Sequence, residues 1–139
     1  MYKSRKTTFL GSRCWNDSAL PYAPGLLGVK NPVFVDSFFL QSKTPAIQQL
    51  LRLHERILYR HQNYIGPTAY TAFAYDTLII LMRLLEDERN QSHRDLRDAL
   101  INMQMFPGVT GNLRFDEKGK VEREMQLLTL RRGKIQPLN

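Results

Sequence analysis

The spacing of apolar residues changes character twice along the chain. "TTFLG" at 7–11 is rich in β-formers and stopped by Gly11, which predicts a short strand. "SRCWNDSALPYAPGLLG" at 12–28 is punctuated by proline and glycine and leaves room for at most one short helix, around 16–20. "PVFVDSFFL" at 32–40 is almost continuously apolar, broken at Asp36, which predicts a strand covered on both faces. The period then becomes helical. Thr44-Pro45 is a cap followed by proline at the first helical position. Ile47, Leu50, Leu51, His54, Ile57, Leu58 and His61 follow on one face.

"NYIGPTAY" at 63–70 ends that helix, and a second runs from about 68 to 87. Apolar residues wrap much of its circumference, so it is expected to be heavily buried. Ser92, with Asp95 three residues on, caps a third helix whose stripe is Leu96, Ala99, Leu100 and Met103. After the connection "FPGVTG", alternation returns: a strand at 111–116, a turn with Gly119 suited to positive φ, and a strand at 121–130. A tight turn at Arg132-Gly133 leads into "KIQPL".

These elements do not balance. A broad apolar helix pair and a doubly covered strand need a sheet, and only two strands precede the helices. The pattern therefore predicts an α/β protein of which this chain is a piece, with exposed apolar surface that invites self-association.

Charge changes this picture little. The net charge of +7 over 139 residues raises nucleic acid or an anionic surface as partners. The cations are scattered, however: Lys3, Arg5 and Lys6 near one end, Arg131, Arg132 and Lys134 near the other, mixed signs between. No nucleic-acid-binding motif accompanies them, so specific nucleic-acid recognition is not expected. The longest apolar run, "LIILM" at 78–82, is too short to span a bilayer, and the basic start lacks the apolar stretch of a signal peptide.

Catalytic chemistry finds no constellation. His54 and His61 are seven apart, outside the i, i+4 spacing of helical zinc pairs. Cys14 is the sole cysteine, so no internal disulfide forms, and no histidine stands near it for a metal site. Asp116, Glu117, Glu122 and Glu124 fall on a turn and a strand, and Asp87 with Glu88 marks a helix end. Walker, dinucleotide and nucleophile-elbow motifs are absent. The expectation is a protein with no enzymatic activity, no cofactor and no metal.

"LGSRCWN", "VFVDSFF", "AYTAFAYDTLIILMRLL", "DLRDALINM" and "FPGVTGNLRFDEKGKVEREMQLLTLRRGKIQPL", in that order, resemble the C-terminal third of type I periplasmic ligand-binding proteins of the leucine/isoleucine/valine-binding kind. The Trp-Asn pair and the "VFVDSFF" strand are most similar to lipoproteins of the penicillin-binding-protein-activator class. The resemblance implies a partial, truncated type I fold with a C-terminal β-hairpin region. It assigns 7–37 and 110–139 to one lobe and 40–107 to the other. It implies solute recognition for an ABC-type transporter or activation of a cell-wall synthase, through a small-molecule ligand or an envelope protein partner. The parent would be periplasmic or lipoprotein-anchored. A basic nucleic-acid module and a cytoplasmic small-molecule sensor are the alternatives.

Ligands of open α/β sheets meet the loops beyond the carboxyl ends of strands. The ligand-binding candidates are therefore Arg13 and Trp15 in the loop after the first strand, and the resemblance, which implies that the second helix points its start at the same region, adds Tyr70. Amino-acid receptors of this kind place a carboxylate in that loop. Here Arg13 occupies the position, and a guanidinium favours a carboxylate or phosphate over an amine. Trp15 and Tyr70 are either stacking surfaces or core.

Overall fold

A computed structural model describes residues 7–16, 32–58, 66–89 and 92–138. The remainder, including His61, Lys3, Arg5 and Lys6, lies outside the described residues. The chain separates into two compact units, residues 1–39 with 125–139, and residues 40–124.

The first unit is a four-stranded sheet. β1 (Leu10–Gly11) lies parallel to β2 (Val33–Asp36), β2 antiparallel to β6 (Gln126–Arg131), and β6 antiparallel to β7 (Lys134–Pro137). Phe34 faces Leu128 and Leu130 faces Ile135 across the ladders. Phe34, Leu128 and Ile135 form the core of this unit, with Trp15, Phe39 and Leu130 packed against it. The opposite face departs from the expectation for β2. Val35 pairs with Leu127, and both are exposed, as is Leu10. The near-continuous apolar run predicts two covered faces, and the structure covers one.

The second unit contains α1 (Pro45–Leu58), α2 (Ala69–Leu85) and α3 (His93–Ile101), followed by β3 (Phe106–Gly108), β4 (Gly111–Phe115) and β5 (Val121–Arg123). The three strands form an antiparallel sheet with β4 central. The predicted Ser92 cap is present, accepting from the Asp95 amide in a reciprocal capping box, and Thr68 accepts from the Thr71 amide in a second box that the sequence pattern does not single out. Ile80, Phe106 and Leu113 make the core, joined by Ile79, Leu84, Leu100, Met103, Phe115 and Val121.

Three expectations change here. α2 is not heavily buried: Ala72, Asp76 and Ile80, four residues apart, are its buried stripe, while Leu78, Met82 and Leu85 are 60%, 56% and 61% exposed. One stripe of the helix meets the sheet of its own unit, and the rest of its apolar girth does not. The single strand expected over 121–130 is two strands in different sheets, parted at Glu124-Met125. "FPG" is a strand rather than a connection. Pro107 is tolerated because β3 is an edge, where its missing N–H costs no ladder bond. The 111–124 hairpin falls in the same compact unit as the helices, with β4 paired to β3 and β5.

Candidate functional site

β1 and β2 run parallel, so their carboxyl ends lie side by side, the place where open α/β sheets take ligands. The chain leaves β1 in a single 3₁₀ turn, Arg13–Trp15. The Trp15 amide donates to the Ser12 carbonyl at 3.0 Å and the Asn16 amide to the Arg13 carbonyl at 2.9 Å. A side chain on Gly11 is impossible as the turn stands: its Cβ would lie 2.3 Å from the Trp15 indole. Glycine there lets the ring fold back over the strand. The indole then meets Phe34 edge-on, with centroids 6.4 Å apart.

The far end of the turn is fastened by Asn16. Its side-chain amide donates to Asp36 Oδ2 at 2.8 Å and also to the Phe38 carbonyl. Asp36 is only 1% exposed, and its other oxygen accepts from the amides of Ser37 at 2.7 Å and Phe38 at 3.4 Å. The buried carboxylate thus joins the ends of two neighbouring strands through one asparagine. Backbone amides and a side-chain amide satisfy it, as buried carboxylates require. Asn16 and Asp36 escape notice as site residues in the sequence. The signal was the Asp36 break in an apolar strand.

The three candidates fare differently. Arg13 and Trp15 share the turn: Arg13 is exposed at its head, while Trp15 is half-buried and packed on the core. Tyr70 belongs to the other unit, in the first turn of α2, and is 81% exposed. Its neighbours Thr68 and Thr71 satisfy each other's amides, at 3.3 and 3.2 Å.

A second buried carboxylate, Asp76, is the hub of the helical unit. It is 1% exposed and accepts from the Val109 amide at 2.8 Å, the Thr110 amide at 3.0 Å and the Thr110 hydroxyl at 2.5 Å. Thr110 Oγ1 in turn accepts from Arg123 Nη1 at 2.6 Å, and the Arg123 guanidinium lies 4.6 Å over the Phe73 ring. Gly108 is required for this approach, since a Cβ there would fall 2.5 Å from Asp76 Oδ2. Burial, with the Asp76 charge beside it, raises the Tyr75 hydroxyl above its ordinary pKa.

His54 is half-buried on α1, and among the described residues no group of three or more His, Cys, Asp or Glu stands close enough to hold a metal. Also among the described residues, no helix is long and apolar enough to cross a membrane.

No protein-family model matches the sequence, and no curated protein matches it. Solved structures do match. A branched-chain amino acid ABC transporter protein from Rhodospirillum rubrum superposes with a TM-score of 0.77 at 22% identity, over 97% of this chain and 38% of that one. The leucine-binding protein LivK of Thermotoga maritima gives 0.71 at 15% identity, over 95% and 36%. The isoleucine-bound LivJ of Streptococcus pneumoniae gives 0.68 at 18%, over 91% and 34%. The chain spans little more than a third of the length of the structures it resembles. Its fold is part of the α/β fold of type I periplasmic binding proteins.

Proposed function

We propose that this chain is the ligand-recognition portion of a type I periplasmic-binding-like protein without catalytic activity, its two units being portions of the two lobes. The turn at the carboxyl ends of β1 and β2 carries this reading: Asn16 and Asp36 fasten it, Gly11 and Trp15 seat it, and Arg13 is left exposed at its head. The structural neighbours bind leucine and isoleucine. An arginine at this position suits a solute bearing a carboxylate or phosphate instead. Tyr70, in the other unit, is assigned as a second contact surface.

Trp15 is the only tryptophan in the chain, so its emission reports on the turn. Titration with succinate is expected to perturb that emission saturably, and Arg13→Glu to abolish the response, with leucine inert. Saturable leucine binding would overturn the anionic assignment. Silence toward succinate, phosphate and leucine alike would overturn ligand recognition by this chain.

The same arginine favours a second reading, in which the fold is kept to bind an envelope protein such as a cell-wall synthase, in a periplasmic or lipoprotein-anchored parent. Retention of a purified synthase by the immobilised chain, lost in Arg13→Glu, separates this reading from the first.

A further inference from the structure

The tip of the β6–β7 hairpin breaks two local rules at once. Arg131 and Lys134 are direct cross-strand partners, a like-charge pair that disfavours the hairpin. Between them Arg132 adopts φ 51 beside Gly133 at φ 72. Left-handed backbone of this kind suits glycine or asparagine and costs a side chain such as arginine about 1–2 kcal/mol. All four residues, 131–134, are exposed, and none of the three cations forms an ion pair with a described residue. An ordinary two-residue turn would be Asn-Gly. This one concentrates three cations at an exposed tip.

One hollow in the helical unit has the opposite shape, and its lining the opposite charge. An open hollow of about 490 Å³ lies between the end of α3 and the β4–β5 hairpin. Ile101, Met103, Met105 and Phe115 supply its apolar lining. Asp116, Glu117 and Glu122 face it against the single cation Arg114, so its lining carries an excess of two negative charges in a chain whose net charge is +7. Arg114 is already engaged by Glu122 at 2.7 Å. Arginine stems lie well on methionine and phenylalanine while their guanidinium groups reach carboxylates. The hollow falls within the 300–1,000 Å³ typical of ligand sites.

We propose that the basic hairpin tip of one copy of this chain docks into the acidic, methionine-lined hollow of a second copy. The contact is heterologous: each copy offers one tip and one hollow, so association continues head to tail beyond the dimer unless a ring closes. It is also electrostatic. Salt shortens the reach of such charges from about 10 Å at 0.1 M to 3 Å at 1 M.

Sedimentation velocity across a concentration series tests this. In low salt the wild-type mass is expected to climb past that of a dimer, and in about 1 M salt to return to the monomer, as the screening length falls. Two variants decide the geometry. Arg131→Glu with Lys134→Glu reverses the tip, and Gln104→Lys with Glu117→Arg reverses the hollow. Each variant alone is expected to stay monomeric. Their equimolar mixture is expected to associate again, the intact tip of one filling the intact hollow of the other and the reversed tip meeting the reversed hollow; a variant that had merely misfolded would not do so. A monomeric wild type at every concentration would overturn the proposal. So would association that survives high salt or both reversals, which would assign it to the exposed apolar faces of α2 and the sheet.

Discussion

Asp36 and Asp76 are both 1% exposed, both acceptors of backbone amides, and each belongs to a different unit. What separates them is the distance along the chain to their partners. Asp36 binds the amides of the next two residues and reaches across only to Asn16. It shapes a loop. Asp76 takes all its bonds from Val109 and Thr110, 33 and 34 residues away, and so fastens a helix to a sheet. A carboxylate is acceptor-only, and every group aimed at Asp76 is a donor, including Thr110 Oγ1, which gives its hydrogen to Asp76 and accepts from Arg123 on a lone pair. The same residue type is local furniture in one unit and a tertiary tie in the other.

Removing each carboxylate is the strongest way to break this comparison. Asp76→Ala strands two buried amides and the Thr110 hydroxyl, and each orphaned group costs about 1–3 kcal/mol. A loss of about 3–5 kcal/mol in denaturant titration is expected, enough to unfold the helical unit of a marginally stable protein. Asp76→Asn should be scarcely better, because its amide would meet a donor. Asp36→Ala should cost less, about 2–3 kcal/mol, since the Phe38 bond is long at 3.4 Å and Asn16 keeps its bond to the Phe38 carbonyl. Equal losses would show that sequence distance to the partner does not matter.

How much of this was legible beforehand depends on the range of each interaction. Thr44-Pro45 and the Ser92/Asp95 box mark helix starts because a cap is a contact between residues three or four apart. The Arg132-Gly133 turn is legible for the same reason. The split of 121–130 is not, because Val121 and Leu128 are both good strand residues and only their partners differ. Nor was the exposed girth of α2. Apolar periodicity states which residues call for cover, not whether cover is present in the chain. At the candidate site, Arg13 and Trp15 fall on the turn after β1, but the groups that fasten it, Asn16 and Asp36, are polar residues with no spacing signature.

Gly11→Ala sharpens the comparison from the loop side. The new methyl would occupy the space of the Trp15 indole, at 2.3 Å, so either the ring or the strand must move. Overpacking of this kind costs about 1–3 kcal/mol. Displacing the ring from Phe34 should shift Trp15 emission to the red. If Asp36 and Asn16 hold the turn independently, Asn16→Ala should loosen it by about 1–2 kcal/mol while leaving the indole on Phe34 and the emission nearly unchanged. A red shift of equal size in both variants would mean that the turn is one unit rather than two fastenings.

The smallest effect comes from a carboxylate that faces solvent. Asp87 takes a bidentate grip from the Arg89 side chain, Nε to Oδ1 at 2.9 Å and Nη2 to Oδ2 at 2.6 Å, and a further bond from the Arg89 amide at 3.1 Å. That side chain first, and the amide second, lower the Asp87 pKa from the ordinary 3.8 to about 2. A carboxylate depressed in the folded state contributes stability above its unfolded pKa and loses it as pH falls through the folded one. The window for Asp87 is therefore from about 3.8 down to about 2. Because the pair is solvated and spans two residues, its contribution to global stability at neutral pH should be near nothing. Arg89→Gln should move the Asp87 carboxyl resonance midpoint back toward 3.8, only partly because the amide bond remains. The melting temperature at pH 7 should stay where it was. A clear fall in melting temperature would place Asp87 with Asp76 among the carboxylates that hold the fold, and the contrast between buried and exposed acceptors would fail.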